Sequence, residues 1–152
     1  MGKYKRLAES FAHAGSGLYF CIHRERNLRI HLTAAFYVVI AAILAKLNTG
    51  EWAAVLLCFA LVISMELINT AVEKVCDKIT TEYDEKIKQI KDISAAAVLI
   101  SAAFATLLAI VVFANARALT AILEVLKGNL ILGVLLLVSA PFAAAFIFIK
   151  RK

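Results

Sequence analysis

Four long apolar blocks break up an otherwise charged chain, at residues 30–47, 52–75, 93–114 and 129–149. A helix crossing a bilayer needs about 20 mostly apolar residues, and the last three blocks reach that length. The first is the shortest: Leu32–Ala45 is 14 uninterrupted residues, and Ile30–Leu47 makes 18 with His31 and Lys46 at the interfaces. At about 1.5 Å per residue those residues cover roughly 27 Å, enough when the end side chains snorkel. Block two carries acids, block three is clean, and block four contains Pro141, which a membrane helix tolerates. Residues 1–29 have a different pattern: Leu7, Phe11, Leu18 and Ile22 are apolar, whereas Lys3, Lys5, Arg6, Glu9, Arg24 and Arg26 are polar. That spacing suits an amphipathic helix lying on a membrane surface, in which Gly15-Ser16-Gly17 permits a bend or reads, more plainly, as a flexible or close-packing point. The stretch has no early apolar core or small-residue cleavage site, so it does not read as a signal peptide. The pattern predicts an all-α integral membrane protein. It has a surface helix over about 3–29, three core spans over about 30–47, 52–75 and 93–114, a short external segment, and a fourth C-terminal span over about 129–149.

Composition supports a membrane fold. Of 152 residues, 62% are apolar, against roughly 45–50% in soluble domains, and one domain of this size could not hide four such blocks in a soluble core. The 17 Lys and Arg residues then orient the spans. Fourteen fall in the N-terminal segment, in the 74–91 region and at the C-terminus, and only Lys46, Arg117 and Lys127 fall on the other side. Positive loops stay inside, so both termini are expected in the cytoplasm of a cell whose inner membrane holds the chain. The net charge of +6 therefore reads as orientation and anionic-lipid contact. No basic-aromatic module points to nucleic acid. Cys21, Cys58 and Cys76 are scattered, show no metal-binding spacing and read as small apolar filler.

The chemistry concentrates in Met65-Glu66-Leu67-Ile68-Asn69-Thr70-Ala71-Val72-Glu73-Lys74-Val75-Cys76-Asp77. At about 100° per residue, Glu73 lies roughly 20° to one side of Glu66, Asp77 roughly 20° to the other, and Asn69 about 60° away. Three carboxylates and an amide thus share one face that begins inside an apolar block. Ionisable groups at that depth cost a few kcal/mol each and mark function by default. The acids repel one another, and Lys74 points about 80° off their face. A divalent cation is the natural counter-charge, and all-oxygen ligation suits magnesium. The bland alternative is pairing with bases on neighbouring helices, of which the spans offer few.

Two further places can complete a site. Glu25 and Arg29 stand four apart, which by itself reads as a solvated ion pair. Lys91-Asp92 stands where a polar loop enters the third span; Asp92 suits an N-cap, and Lys91 suits either phosphate binding or helix orientation. The loop Thr81-Glu82-Tyr83-Asp84-Glu85 offers polar groups and a ring to a soluble ligand. Acids for a metal, a lysine and a carboxylate at membrane depth together fit phosphoryl transfer to a lipid alcohol. No GxxxxGK[ST] loop and no HRD or DFG set is present, which excludes the common soluble kinase folds.

The run Glu66-x-x-Asn69-Thr70-Ala71-x-Glu73-x-x-x-Asp77 resembles the signature of the prokaryotic diacylglycerol kinase family. Lys91-Asp92 followed by Ser94-Ala95-Ala96-Ala97-Val98-Leu99-Ile100 resembles that family's next motif. Arg24-Glu25-Arg26-Asn27-Leu28-Arg29-Ile30-His31 and Glu51-Trp52 resemble its Gram-positive-type branch, whose members phosphorylate undecaprenol. The resemblance spans about residues 4–113. It implies a homotrimer with sites shared at subunit interfaces, three spans plus a surface helix, ATP as co-substrate and Mg2+ as cofactor. By position it makes Glu66 the general base on the lipid hydroxyl and Asn69 its orienting partner. Glu25 and Glu73 would hold magnesium on the ATP phosphates, and Lys91 and Asp92 would contact nucleotide, as would Arg6, Glu82 and Tyr83. Asp77 matches the motif with a supporting or structural role. Cys76, Asp84 and Ile90 depart from residues common in the family, which leaves details of the nucleotide pocket open. Residues 114–152 have no counterpart in its three-span form.

The acceptor stays open between undecaprenol, which the branch-like residues favour, and diacylglycerol. A rival of another class is a small four-span transporter coupling protons through an intramembrane glutamate. It requires neither Lys91-Asp92 nor Glu25, and usually one membrane acid rather than a stripe.

Overall fold

A computed structural model describes residues 3–149, with side chains from residue 6 onward. Among the described residues all regular structure is helical: α1 Lys3–Arg24, α2 Arg26–Leu44, α3 Thr49–Ile79, α4 Glu85–Phe113, α5 Ala116–Gly128 and α6 Leu130–Phe148. Helices α2, α3, α4 and α6 are each long and apolar enough to cross a membrane. The chain is an all-α integral membrane protein.

Helix starts follow local chemistry. The Asn48 side chain accepts from Glu51 N at 3.0 Å while Glu51 accepts from Asn48 N at 2.8 Å, a reciprocal cap on α3. Asp84 caps α4 by accepting from Lys86 N and Ile87 N. Asn115 and Asn129 cap α5 and α6 in the same way. The turn after α2 closes with Lys46 N donating to Ile43 O and Leu47 N to Ala42 O, and Lys46 takes the left-handed conformation this closure needs, at φ 52°.

Three expectations change. The surface helix ends at Arg24 rather than 29: Glu25 is extended at φ −100°, ψ 115°, and starts α2 at an elbow. Gly15-Ser16-Gly17 does not bend α1, which runs through unbroken. A Cβ at either glycine would meet nothing within 4 Å, so no close approach requires them, and an exposed helix carries each glycine at about 1 kcal/mol. Asp92 is not an N-cap, because Asp84 already starts α4 two turns earlier.

Helix α3 packs most extensively on α4 and next on α2; α1 leans on both α2 and α3. At the end remote from the α1–α2 elbow, Ala42, Ala45, Leu47, Val55, Val112 and Ala118 form a buried apolar cluster. There the expected short external segment is helical, α5. Its Ala118, Ala121, Ile122 and Val125 turn inward at helical spacing, and Arg117 reaches Glu51 at 2.5 Å. α6 then returns alongside α2.

Candidate active site at the elbow end of the bundle

The acidic stripe lies on the inner side of α3, opposite α4 and near the elbow. Glu66 is 2% exposed and Asn69 7% exposed, although both sit in a helix with mostly lipid-facing neighbours. Burial follows from spacing: residues 62, 66, 69, 70 and 76 make one inward face. One oxygen of Glu66, Oε2, is fully buried with no hydrogen-bond partner. Buried polar atoms are otherwise nearly always paired, so an orphaned carboxylate oxygen is a position made for something else.

A short relay holds the rest of the stripe. Asn69 Nδ2 donates to Glu73 Oε1 at 2.9 Å, and Ser94 Oγ on α4 donates to Asn69 Oδ1 at 2.6 Å. Ser94 Oγ is also 2.9 Å from the Lys91 carbonyl. The amide of Asn69 is thus fixed with its NH2 toward Glu73. Lys91 Nζ meets Asp77 Oδ1 at 2.5 Å, joining the far ends of α3 and α4. Glu25, at the elbow, turns to α3, where its carboxylate lies 3.7 Å from Lys74 Nζ; Lys74 also stands over the Phe20 ring of α1. The expected Glu25–Arg29 ion pair is not formed: Arg29 instead donates to the Phe146 and Ile149 carbonyls of the α6 end. Two members of the stripe region therefore do have basic neighbours, Asp77 and Glu25, whereas Glu66 has none.

Beyond the relay, Asp77, Glu82, Tyr83, Asp84, Lys88, Lys91 and Asp92 line an open recess of about 460 Å3 under the α3–α4 loop. Tyr83 is exposed and donates to Glu85. That hydrogen bond first, and then the nearby carboxylates of Asp84 and Asp92, hold its phenol above the ordinary range. Glu82 is anchored through its backbone N–H to Thr80 Oγ1. Arg6 stands apart. It lies about 27 Å up α1 from Arg24 at helical rise, and no hydrogen bond or ion pair joins its side chain to the other named residues.

The donor set fits a magnesium–phosphate complex. Among the described residues no group of three His, Cys, Asp or Glu is gathered to cage a metal alone. Magnesium, however, is usually held by one or two carboxylates, with phosphate oxygens and waters filling the other positions. Glu25 and Glu73 are carboxylates of that kind, so the residues present are chemically compatible with such a complex. The motif that begins at Lys91 includes Ser94 but does not disclose its hydrogen bond to Asn69, and the pairing of Lys74 with Glu25 depends on the elbow's position in space.

A family model described as prokaryotic diacylglycerol kinase matches residues 12–113. The chain belongs to the prokaryotic diacylglycerol kinase family. It is 35% identical over 108 residues to the undecaprenol kinase of Bacillus subtilis, covering 71% of this chain and 88% of that protein. It is 38% identical over 97 residues to a diacylglycerol kinase of Synechocystis sp., covering 63% of this chain and 55% of that one. A Helicobacter pylori diacylglycerol kinase is 36% identical over 106 residues, with 69% and 82% covered. No solved structure matches the chain. As a family member it is a multi-pass membrane lipid kinase. The family match ends at the last residue of α4, so α5 and α6 lie outside it.

Proposed function

We propose that this kinase phosphorylates undecaprenol with ATP and Mg2+, yielding undecaprenyl phosphate and ADP. The observation that carries the reading is the buried, unpartnered Oε2 of Glu66 at membrane depth, where a lipid hydroxyl arrives and a soluble alcohol does not. Glu66 accepts the hydroxyl proton as the lipid oxygen attacks the γ-phosphorus; the bond from that phosphorus to the β-bridging oxygen breaks and ADP leaves. Asn69, locked by Ser94 and Glu73, orients the base. Glu25 and Glu73 hold the magnesium, which when bound neutralises charge on the ATP phosphates. Lys91 leaves Asp77 to meet phosphate, and Asp92, Glu82 and Tyr83 complete the nucleotide contacts. Arg6 is supplied by a neighbouring subunit of a homotrimer, in keeping with its distance from the rest. The kinase domain is residues 1–113, and residues 114–152 are an appended helical pair. Both termini face the cytoplasm across the inner membrane, as the basic residues suggest.

A second acceptor, diacylglycerol, is favoured by the relatives named for it. Competition decides. The purified protein, with Mg2+ and labelled ATP, is offered undecaprenol and dioleoylglycerol at equal mole fraction. Preferential label on undecaprenol is expected; preferential label on diacylglycerol keeps the mechanism and changes the acceptor. Label on neither lipid overturns the proposal.

A further inference from the structure

The C-terminal helix ends on a buried arginine of α2. Arg29 is 5% exposed, and its Nη1 donates to the carbonyls of Phe146 at 3.0 Å and Ile149 at 2.7 Å. A buried guanidinium needs acceptors, and the carbonyls at the C-terminal end of a helix together carry about half a negative charge. The seat is completed by Tyr37 Oη and Ser139 Oγ, 2.8 Å apart midway along α2 and α6, and by Arg26 over the Phe148 ring. Neither α2 nor α6 contains a carboxylate. The acid next to Arg29 in sequence is Glu25, one turn away, whose carbonyl the Arg29 N–H already meets. Spacing alone pairs these two side chains, yet Glu25 turns to α3 and Arg29 to α6. Arg29 Nε is buried with no partner, so the guanidinium has a donor that α6 does not engage.

We propose that α6 is a positioning element for the metal-binding carboxylate: by taking Arg29 onto its terminal carbonyls, it keeps that arginine off Glu25. The inference rests on the reading of Glu25 as a magnesium ligand. It gives residues 130–149, which lie outside the family match, a role in the reaction without bringing them to the reacting atoms. An arginine paired with Glu25 competes with the cation for the same oxygens; an arginine held by α6 does not.

The test is a double-mutant cycle on the full-length chain. Mn2+ stands in for Mg2+, a non-hydrolysable ATP analogue is present, and bound Mn2+ is read by electron paramagnetic resonance. Phe146→Pro unwinds the last turn of α6 and removes the carbonyls from Arg29. It is expected to weaken Mn2+–nucleotide binding by about fivefold or more. Arg29→Gln alone stays within about twofold of the parent, since the competitor is gone, and in the Phe146→Pro background it restores affinity to the same level. The paired change Tyr37→Phe with Ser139→Val loosens α6 more gently and shifts binding the same way, by about twofold. A purely structural α6 makes the double variant at least as weak as Phe146→Pro, and that result overturns the proposal, as does unchanged affinity in both α6 variants. If the parent chain itself fails to bind Mn2+ with nucleotide, the reading of Glu25 as a ligand falls, and this inference with it.

Discussion

Helix α3 carries one glutamate in its first turn and another in its second half, and the two are built in opposite ways. At the α5 end, Glu51 accepts from Asn48 N and from Arg117, and beneath it lies the apolar cluster of Ala42, Val55, Val112 and Ala118. At the elbow end, Glu66 is more deeply buried and yet has an oxygen with no partner. A satisfied carboxylate at a helix start stabilises the fold; an orphaned one inside the membrane costs stability that only a function explains. Substitutions should therefore separate the two ends cleanly, with activity lost at one and stability at the other.

The sharpest break is Glu66→Gln. It keeps shape and removes the carboxylate proposed as the base, so turnover should fall by about 10² to 10⁴, with the protein still folded by its thermal transition in detergent; near-parental turnover would end the assignment of the base. Next is Glu73→Gln, which retains an oxygen for Asn69 and loses the charge. Mg2+-dependent nucleotide binding should weaken by about tenfold or more, read by titration, and an unchanged titration argues against ligation there. Third is Lys91→Met, which frees Asp77 and removes the proposed phosphate contact. The KM for ATP should rise several-fold, while the KM for lipid holds. At the other end, Asn48→Ala removes the reciprocal cap of α3 and should cost about 1 kcal/mol of stability with turnover unchanged. The smallest effect is Arg117→Gln: this solvent-exposed pair contributes little stability and fades with salt. A large loss of activity from either of these last two would erase the contrast.

Much of this was legible in one dimension. Apolar blocks disclosed the spans because a bilayer sets a minimum length, and the spacing of Glu66, Asn69, Glu73 and Asp77 disclosed a shared face because a helix has a fixed pitch. The elbow at Glu25 was not legible: the run from 3 to 29 has helical periodicity on both sides of it, and a single extended residue leaves no mark in that pattern. Helix α5 is marked only weakly in the sequence, by Asn115 as its cap and by the inward spacing of Ala118, Ile122 and Val125, because it is too short to form an apolar block of spanning length. Asp92 drew the N-cap assignment because the apolar run begins beside it, whereas the helix begins at Asp84 in polar sequence, above the apolar stretch. The partner of Arg29 was out of reach of any local rule, since its acceptors are main-chain carbonyls 117 and 120 residues away.

The sequence by itself determined that the chain is a helical membrane protein, which helix bears the acids and which family carries that motif, because hydropathy, helical pitch and residue spacing are properties of neighbours along the chain. Only the tertiary structure decided which of those charges are answered. Glu25 meets Lys74, Asp77 meets Lys91 and Arg29 meets the end of α6, while Glu66 is left with a bare oxygen. Pairing depends on distances between helices, and a sequence orders residues without placing its helices side by side.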